Sequence, residues 1–523
     1  MREKLKKYYD VGIVGGGHNG LVAACYLAQA GKSVVVLEKN NYIGGATTSQ
    51  KTFPEFEAYL SRYSYLVSLF PKEIVEELGL NINLLKREVA SFTPYGSSEG
   101  LLISNLSDEV SKASVLDLGF GVSEWEGYQK IQALQTRFAE LVWESFLSPL
   151  KPKSEWKEYF ERHGEAALWL AMVEKPIGEL IEHYVKSDVL RGVLLTDAKI
   201  GVESHAHDKS LLQNKTFLYH IVGNKTGEWR VPEGGMGALV AELYKKAMAL
   251  GVDFEVNATV EQIEEHVVLV DGQFIKCDHV LLNAAPQLLQ KLVPEFLKKK
   301  YGFQKSMYEA QDGTAFKINI LLNRLPKLNA NVSPEEAFAG TFHINQTYSQ
   351  QEKAYLETLE GKIPEAFSCE MYCHTLTDQS ILSEDLKLKG YHTITVFGLD
   401  LPFRLFDKSS NEKLKAIVWE KFLNGINSFL EEPFESCIAV NSRNELCFEC
   451  KSALDLEHDL GLPKGNIFHN DLSWFYAESD ADIDKWGVET VFPWINICGS
   501  GAMRGGAVSG IPGRNAAMRI LSK

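Results

Sequence analysis

The sequence predicts an α/β protein: a discontinuous Rossmann-like dinucleotide-binding domain, with a second domain built from the intervening segments. Three observations predict it. A strand, a glycine turn, a helix and a second strand open the chain. This βαβ rhythm lapses from about residue 90 to 225 and returns at Pro232. A strand, a glycine-rich turn and a helix then close the chain over 494–523. The dinucleotide domain is thus expected over 1–88, 229–292 and 486–523, and the second domain over 89–228 and 293–485.

Residues 10–14 read as a short buried strand, and Gly15-x-Gly17-x-x-Gly20 turns the chain into a helix. Gly15 lets the chain reverse, Gly17 lets backbone N–H groups approach a pyrophosphate, and Gly20 lets the helix lie close on the strand. The helix N-terminus supplies the positive end that an anion needs. Leu21, Ala24, Leu27 and Ala28 form its apolar stripe, and Gly31 ends it. Residues 33–37 form the second strand. Glu38 follows Gly20 by 18 residues, where an acid reaches the ribose hydroxyls. The strand, helix and acid together raise this signal above a bare GxGxxG. A second glycine pair, Gly44-Gly45, is suited to another phosphate approach.

Residues 123–146 and 166–185 carry long helical patterns, and Trp143, Trp156 and Trp169 in this region read as core. The string Glu233-Gly-Gly-Met-Gly237 opens a helix that runs to Leu250 and stops at Gly251. A strand is expected over 254–260. Strands over 267–270 and 273–277 form a hairpin through Asp271-Gly272. Residues 279–286 are a buried strand ending in small residues, and 314–322 alternates as a further strand. Between Gly499 and Gly513 stand six glycines, so backbone there approaches something closely. Pro512 suits the first turn of the last helix, whose dipole would favour an electron-rich ring.

Composition narrows the function. A chain of 523 residues with 45% hydrophobic and 24% charged residues has ample core for two to four domains. Its net charge of −15 argues against nucleic acid and against strong attraction to anionic lipid. The longest apolar run, 166–173, is too short to span a membrane, which leaves only peripheral contact. The first strand begins so early that no signal or transit peptide is expected, which points to the cytoplasm. Cys25, Cys277 and Cys498 read as inert core. Cys447-Phe-Glu-Cys450 has redox or zinc half-site spacing but no second pair, and reads as structural. His205 and His207 read as a loop pair. No metal is expected. No CxxxxC follows Gly45, and Gly234-Gly-Met-Gly237 has the wrong spacing for a second nucleotide fingerprint, which argues against a disulfide reductase.

The chain resembles flavoproteins related to phytoene dehydrogenase, within the wider group of carotenoid desaturases, carotenoid ketolases and monoamine oxidases. It is most similar to the branch named for a pyridine nucleotide-disulphide oxidoreductase domain. The resemblance covers nearly the whole chain. Its strings are GGGHNGL at 15–21, IGGA at 43–46, TDAKIG at 196–201, GGMGAL at 234–239 and LLNAAP at 281–286. They continue with KIN at 317–319, DLE at 455–457, GNIFH at 465–469 and GSGAMRGGAVSGIPGRNAA at 499–517.

This resemblance implies an extended FAD and an amine oxidase or phytoene desaturase-like fold, in which the second domain is an α+β substrate-binding domain that covers the flavin. Gly15, Gly17 and Gly20 would sit on the pyrophosphate, and Glu38 on the adenosine ribose beside Lys39. Gly44, Gly45 and Ala46 would lie near the ribityl–phosphate region, and Val260 would meet the adenine end through its backbone. Gly499, Ser500 and Val508 would flank the pyrophosphate and isoalloxazine. His220, Trp229, Glu370 and His469 match family positions and read as structural. The family's His-Pro before the C-terminal glycine pair is here Met503-Arg504, and an Asp-Gln is replaced by Phe475-Tyr476. Both departures weigh against a carotenoid substrate.

The implied activity is FAD-dependent removal of hydride from a C–H or C–N bond of an organic substrate, with oxygen or a quinone-like compound as acceptor. Such chemistry needs the C–H about 3–3.5 Å from flavin N5, in a site closed to water. Two side chains are candidates for an active role. Lys317 lies mid-strand on a face with Asn319 and Leu321. A lysine there is costly to bury without a partner. In monoamine oxidases a lysine on a similar strand holds a water at flavin N5. The alternative is a solvated strand face. Arg504 would stabilise reduced flavin or bind an acidic substrate group, or else be an exposed arginine paired elsewhere. Three rival functions stay open: a carotenoid or isoprenoid desaturase, ketolase or isomerase; an amine oxidase; and a non-enzymatic, flavin-stabilised partner-binding protein.

Overall fold

The computed structural model describes residues 5–506 and 508–522. Two seven-stranded sheets organise the chain. The first begins with strand β1 (Tyr8–Val14), helix α1 (His18–Gln29) and strand β2 (Val34–Glu38). β1 and β2 run parallel with Val11 opposite Val34 and Val14 opposite Leu37. β2 is buried along its whole length, as a parallel strand covered on both faces must be.

The second sheet opens with strands β3 (Val89–Tyr95) and β4 (Glu99–Ser104), an antiparallel hairpin. The sequence shows only the lapse of the βαβ rhythm there. β3 also pairs in parallel with a strand far along the chain, which no local pattern announces. Helix α2 (Val122–Val142) follows and tightens into a 3-10 turn over Trp143–Leu147. The helical pattern over 166–185 is broken, not continuous: Pro176 ends the first part and caps a new helix, Ile177–Tyr184. Trp143, Trp156 and Trp169 pack in this helical core.

Helix α3 (Met236–Ala249) returns the chain to the first sheet, through strands β5 (Asp253–Val256), β6 (Val260–Glu264), β7 (Val267–Val270) and β8 (Gln273–Leu282). The single strand expected over 254–260 is two strands, because Asn257 takes a φ of 54° and turns the chain. Conversely, the hairpin strand and the buried strand after it are one, β8. Its first half pairs with β7 and its second half lies parallel to β1, with Val14 opposite Leu282.

The second sheet is completed by β9 (Phe316–Leu322), β10 (Thr341–Ile344), β11 (Cys369–Tyr372), β12 (His392–Gly398) and β13 (Phe448–Lys451). Its order is β13-β9-β12-β11-β10-β3-β4. Strand β14 (Ile495–Ile497) joins the first sheet beside β8, and helix α4 (Ile511–Leu521) ends the fold. The first sheet reads β6-β7-β8-β1-β2-β5, with β14 on β8. Among the described residues no helix is long and apolar enough to cross a membrane.

Candidate active site

The ends of β1, β8 and β14 converge on one glycine-lined strip. Gly15 takes a φ of 104° directly after β1, and its N–H donates to the Leu37 carbonyl at 2.8 Å. Asn283, just past β8, donates through Nδ2 to the carbonyls of Gly15 (2.9 Å) and Gly17 (3.1 Å). A Cβ at Gly20 would lie 2.6 Å from that Nδ2, so glycine is needed to bring α1 against the loop. A Cβ at Gly17 would meet only Asn283 Nδ2, at 3.3 Å, which leaves its outer side open. α1 starts immediately after Gly17, with no side-chain cap and no acid in its first turn. A helix N-terminus of this kind suits an anion.

Glu38 is buried at the end of β2. Its Oε2 accepts from Gly16 N at 2.7 Å and its Oε1 from Asn40 N at 2.8 Å. Both oxygens are fixed in place and keep lone pairs for hydroxyl donors. Lys39 is exposed and turns towards Gly461. Val260 starts β6, two residues beyond Ala258, whose N–H donates to the Glu38 carbonyl at 2.9 Å.

The second glycine pair abuts the first string. Gly44 N donates to Gly16 O at 2.9 Å, and Gly44 bridges Gly17 in parallel register. The Ala46 carbonyl accepts from Ser64 Oγ at 2.9 Å. From the C-terminal block, Gly499 packs on the Asn283–Ala284 backbone, and Ser500 O accepts from Gly506 N at 3.0 Å. Val508 is buried in the apolar cluster that holds α1 and α4. A Cβ at Gly513 would lie 2.0 Å from the Asn19 carbonyl, so α4 presses on the first turn of α1. Gly15, Gly17, Gly45, Ala46 and Ser500 stay half-buried while most residues flanking them are buried. A backbone-lined strip with an uncapped helix end and a buried acid fits the pyrophosphate and ribose of FAD.

Lys317 is buried, not on a solvated face. Among the described residues its Nζ has no hydrogen-bond partner, and it stands 4.1 Å from the centre of the Tyr65 ring. Burial pushes its pKa well below the ordinary lysine value, against the pull of Glu370 and Glu449. The other face of β9 packs Phe316, Ile318 and Ile320 into the core.

Tyr65 also lines a cavity of about 600 Å³ between the second sheet and the helical region, together with Arg87, Asp197, His220, Trp229, His343, Glu370 and Tyr372. Its polar groups are tightly organised. The Tyr372 hydroxyl donates to Glu370 Oε2, and His343 Nε2 lies 3.7 Å from Glu370 Oε1. Burial pushes the Glu370 carboxyl up, but His343, Tyr372 and His220 outweigh it and hold the pKa below the usual value. Burial raises Asp197 to about 6. His220, Trp229 and Glu370 thus share one cavity wall. His469 lies elsewhere, beside Gly501, with a buried and unpartnered Nδ1.

Arg504 takes a different post from the one its charge suggests. It is buried rather than exposed, and has a φ of 57°. Its guanidinium donates to three backbone carbonyls: Ser145, Ser148 (2.6 Å) and Trp486 (2.7 Å). Those bonds tie the glycine-rich loop to the turn after α2 and to Trp486, while Nε is buried with no partner among the described residues. The two histidines also part ways, His205 towards Glu352 and His207 towards Glu182. Among the described residues no group of His, Cys, Asp or Glu could hold a metal ion. Sequence reasoning missed Asn283, Arg87 and Asp197 as site residues. Asn283 and Asp197 lay inside quoted strings, while Arg87 sits in a charged triplet that reads as surface.

Residues 13–74 match the model of the NAD(P)-binding Rossmann-like domain. The chain is 39% identical to an uncharacterized protein of Mycobacterium tuberculosis, over 98% of this chain and 97% of that one. It is 28% identical to pyridine nucleotide-disulfide oxidoreductase domain-containing protein 2 of Rattus norvegicus, over 98% and 93% of the two chains. In fold it is similar to cyclohexylamine oxidase from Brevibacterium oxydans, with a TM-score of 0.54, 13% identity, and coverage of 98% and 100%.

Proposed function

Because the chain belongs to the phytoene dehydrogenase-related family of flavoprotein oxidoreductases, we propose that it uses FAD to oxidise a compact, polar organic substrate at a C–H or C–N bond. FAD, when bound, supplies the two-electron acceptor for the hydride. Gly15, Gly17 and Gly20 would hold its pyrophosphate, and Glu38 its ribose. Val260 would meet the adenine end. Gly44, Gly45, Ala46, Gly499, Ser500 and Val508 would line its ribityl chain and ring.

The observation that carries this reading is continuity. Gly17 bridges Gly44, Ala46 is hydrogen-bonded to Ser64, and the next residue, Tyr65, both lines the cavity and carries Lys317 over its ring. A cofactor laid along the strip would therefore end at the wall of a cavity large enough for a small molecule. Lys317, buried and without a hydrogen-bond partner among the described residues, would hold a water at that wall. Oxygen or a quinone-like compound would accept the electrons.

The cavity favours a polar substrate over a carotenoid. A polyene would need a long apolar tunnel, whereas Arg87, Asp197, His220, His343 and Glu370 face this space. A purely partner-binding role would leave the cavity without a use. The test is an absorbance spectrum of the purified protein, followed by reduction and exposure to air. A flavin spectrum that reoxidises in seconds supports an oxidase, and slow reoxidation supports a dehydrogenase with a quinone-like acceptor. A colourless protein that will not take up FAD overturns the proposal.

A further inference from the structure

Arg87 is nine-tenths buried and lines the cavity just before β3. Two of its nitrogens are fixed: Nε donates to the Trp229 carbonyl at 3.2 Å, and Nη1 to Thr341 Oγ1 at 2.9 Å. Both acceptors are neutral. Among the described residues Nη2 makes no hydrogen bond and no carboxylate comes within ion-pair distance of the guanidinium. The neighbouring charges are committed elsewhere or held back. Glu370 is engaged by Tyr372 and His343, and Glu228 by Lys86 and Arg230. Burial, the largest influence on Arg87, disfavours its charge, and the surrounding carboxylates offset this only at a distance.

A guanidinium is always charged, so a buried one calls for an anion. Two donors pinned by backbone and threonine leave the remaining edge of the planar fork directed and rigid, the arrangement that recognises a carboxylate. A dianion is disfavoured, because Asp197 and Glu370 share the cavity with a single free cationic edge. Apolar wall is also present at Val193, Leu194 and Ile200.

We infer that the cavity takes a substrate carrying one carboxylate, which docks on the free edge of Arg87 while its apolar body lies against Val193, Leu194 and Ile200. This rests on the reading of the cavity as the substrate site. Arg87 is then a specificity-determining residue, and the carboxylate end sets which carbon of the substrate turns towards Lys317.

The experiment is calorimetric titration of the purified protein with 3-phenylpropanoate and with 3-phenylpropanamide, which match in shape and differ in charge. The wild-type protein should bind the acid at least about 10-fold more tightly than the amide. Arg87→Gln should abolish that preference, and Arg87→Lys should weaken it several-fold, since a lysine keeps the charge but not the fork. No binding of the acid, equal binding of the two probes, or an Arg87→Gln protein with the full preference would each overturn the inference. If Arg87→Gln does not fold, Arg87→Lys and the wild-type comparison still decide. A protein without flavin that shows the Arg87-dependent preference would defeat the oxidoreductase reading and leave the anion site standing. A flavin-loaded protein without the preference would do the reverse.

Discussion

Lys317 places its ammonium 4.1 Å from the centre of the Tyr65 ring, with no hydrogen-bond partner among the described residues. The ring face offsets part of the cost of burying the amine, and burial lowers its pKa well below the ordinary lysine value. Such a group is kept against its own cost to stability, which is the pattern of a functional site. Lys317→Met fills the same space without charge. It should raise stability by about 1–2 kcal/mol and slow reoxidation of the reduced flavin by oxygen. Thermal melts and stopped-flow reoxidation check both effects. Unchanged anaerobic reduction and unchanged reoxidation together would remove Lys317 from the chemistry.

His374 predicts acid sensitivity. Burial, aided by the charges of Lys317 and Arg87, depresses its pKa from 6.5 to about 3. Burial alone takes His469 to about 4. In both cases the unfolded chain binds more protons between the two values. Stability is therefore full above pH 6.5 and is lost as the pH falls towards the folded pKa. Denaturant midpoints measured from pH 7 to pH 4 should fall steadily. His374→Phe should flatten that slope, and an unaltered slope would count against a buried neutral imidazole.

The glycines of the first string should separate by function. Gly17→Val adds bulk on the open side of the loop, so the protein should fold and fail to retain flavin. Gly20→Ala would place its methyl 2.6 Å from Asn283 Nδ2 and 2.7 Å from the Gly15 carbonyl. It should cost about 1–3 kcal/mol in stability. A Gly17→Val protein that purifies fully yellow would exclude this strip as the pyrophosphate site.

Asn283 fastens the loop. Asn283→Ala releases the Gly15 and Gly17 carbonyls and should cost about 1–3 kcal/mol, with a weaker hold on flavin. Fluorescence titration of flavin binding beside a melt separates the two effects. Unchanged flavin affinity would show that the loop keeps its shape without this side chain.

Arg504 should act as a staple. Arg504→Met strands three carbonyls, two of them at the turn after α2, and should destabilise the protein by about 3–5 kcal/mol. Arg504→Lys should recover only part, since it lacks the fork. An Arg504→Met protein with wild-type stability and an altered flavin potential would return the residue to a redox role.

What was legible in the sequence lies close together along the chain. The run from β1 through Gly15, Gly17 and Gly20 to Glu38 is one βαβ unit, and its glycine spacing follows from the local backbone path. The turn at Asp271-Gly272 is equally local, with both residues at positive φ. Lys317 stood out because a charge interrupts an apolar strand. Its burial did not, since period-two alternation cannot tell a solvated face from one covered by Tyr65. The pairing of β3 with β10 was not legible because Ser91 and Phe92 pair with Thr341 and Phe342, some 250 residues away.

The sequence by itself determined the Rossmann-like half, the dinucleotide cradle and the family. Each depends on residues within one supersecondary unit or on distinct short strings spread along the chain. Only the tertiary structure decided what the buried charges do. It turned Arg504 into a backbone staple, left Arg87 with one free edge in a cavity, and set Lys317 over an aromatic ring. The reason is physical. A buried charge is defined by the partners that desolvation forces on it, and for these three residues the partners come from distant segments that meet only when the two sheets and the helical core close together.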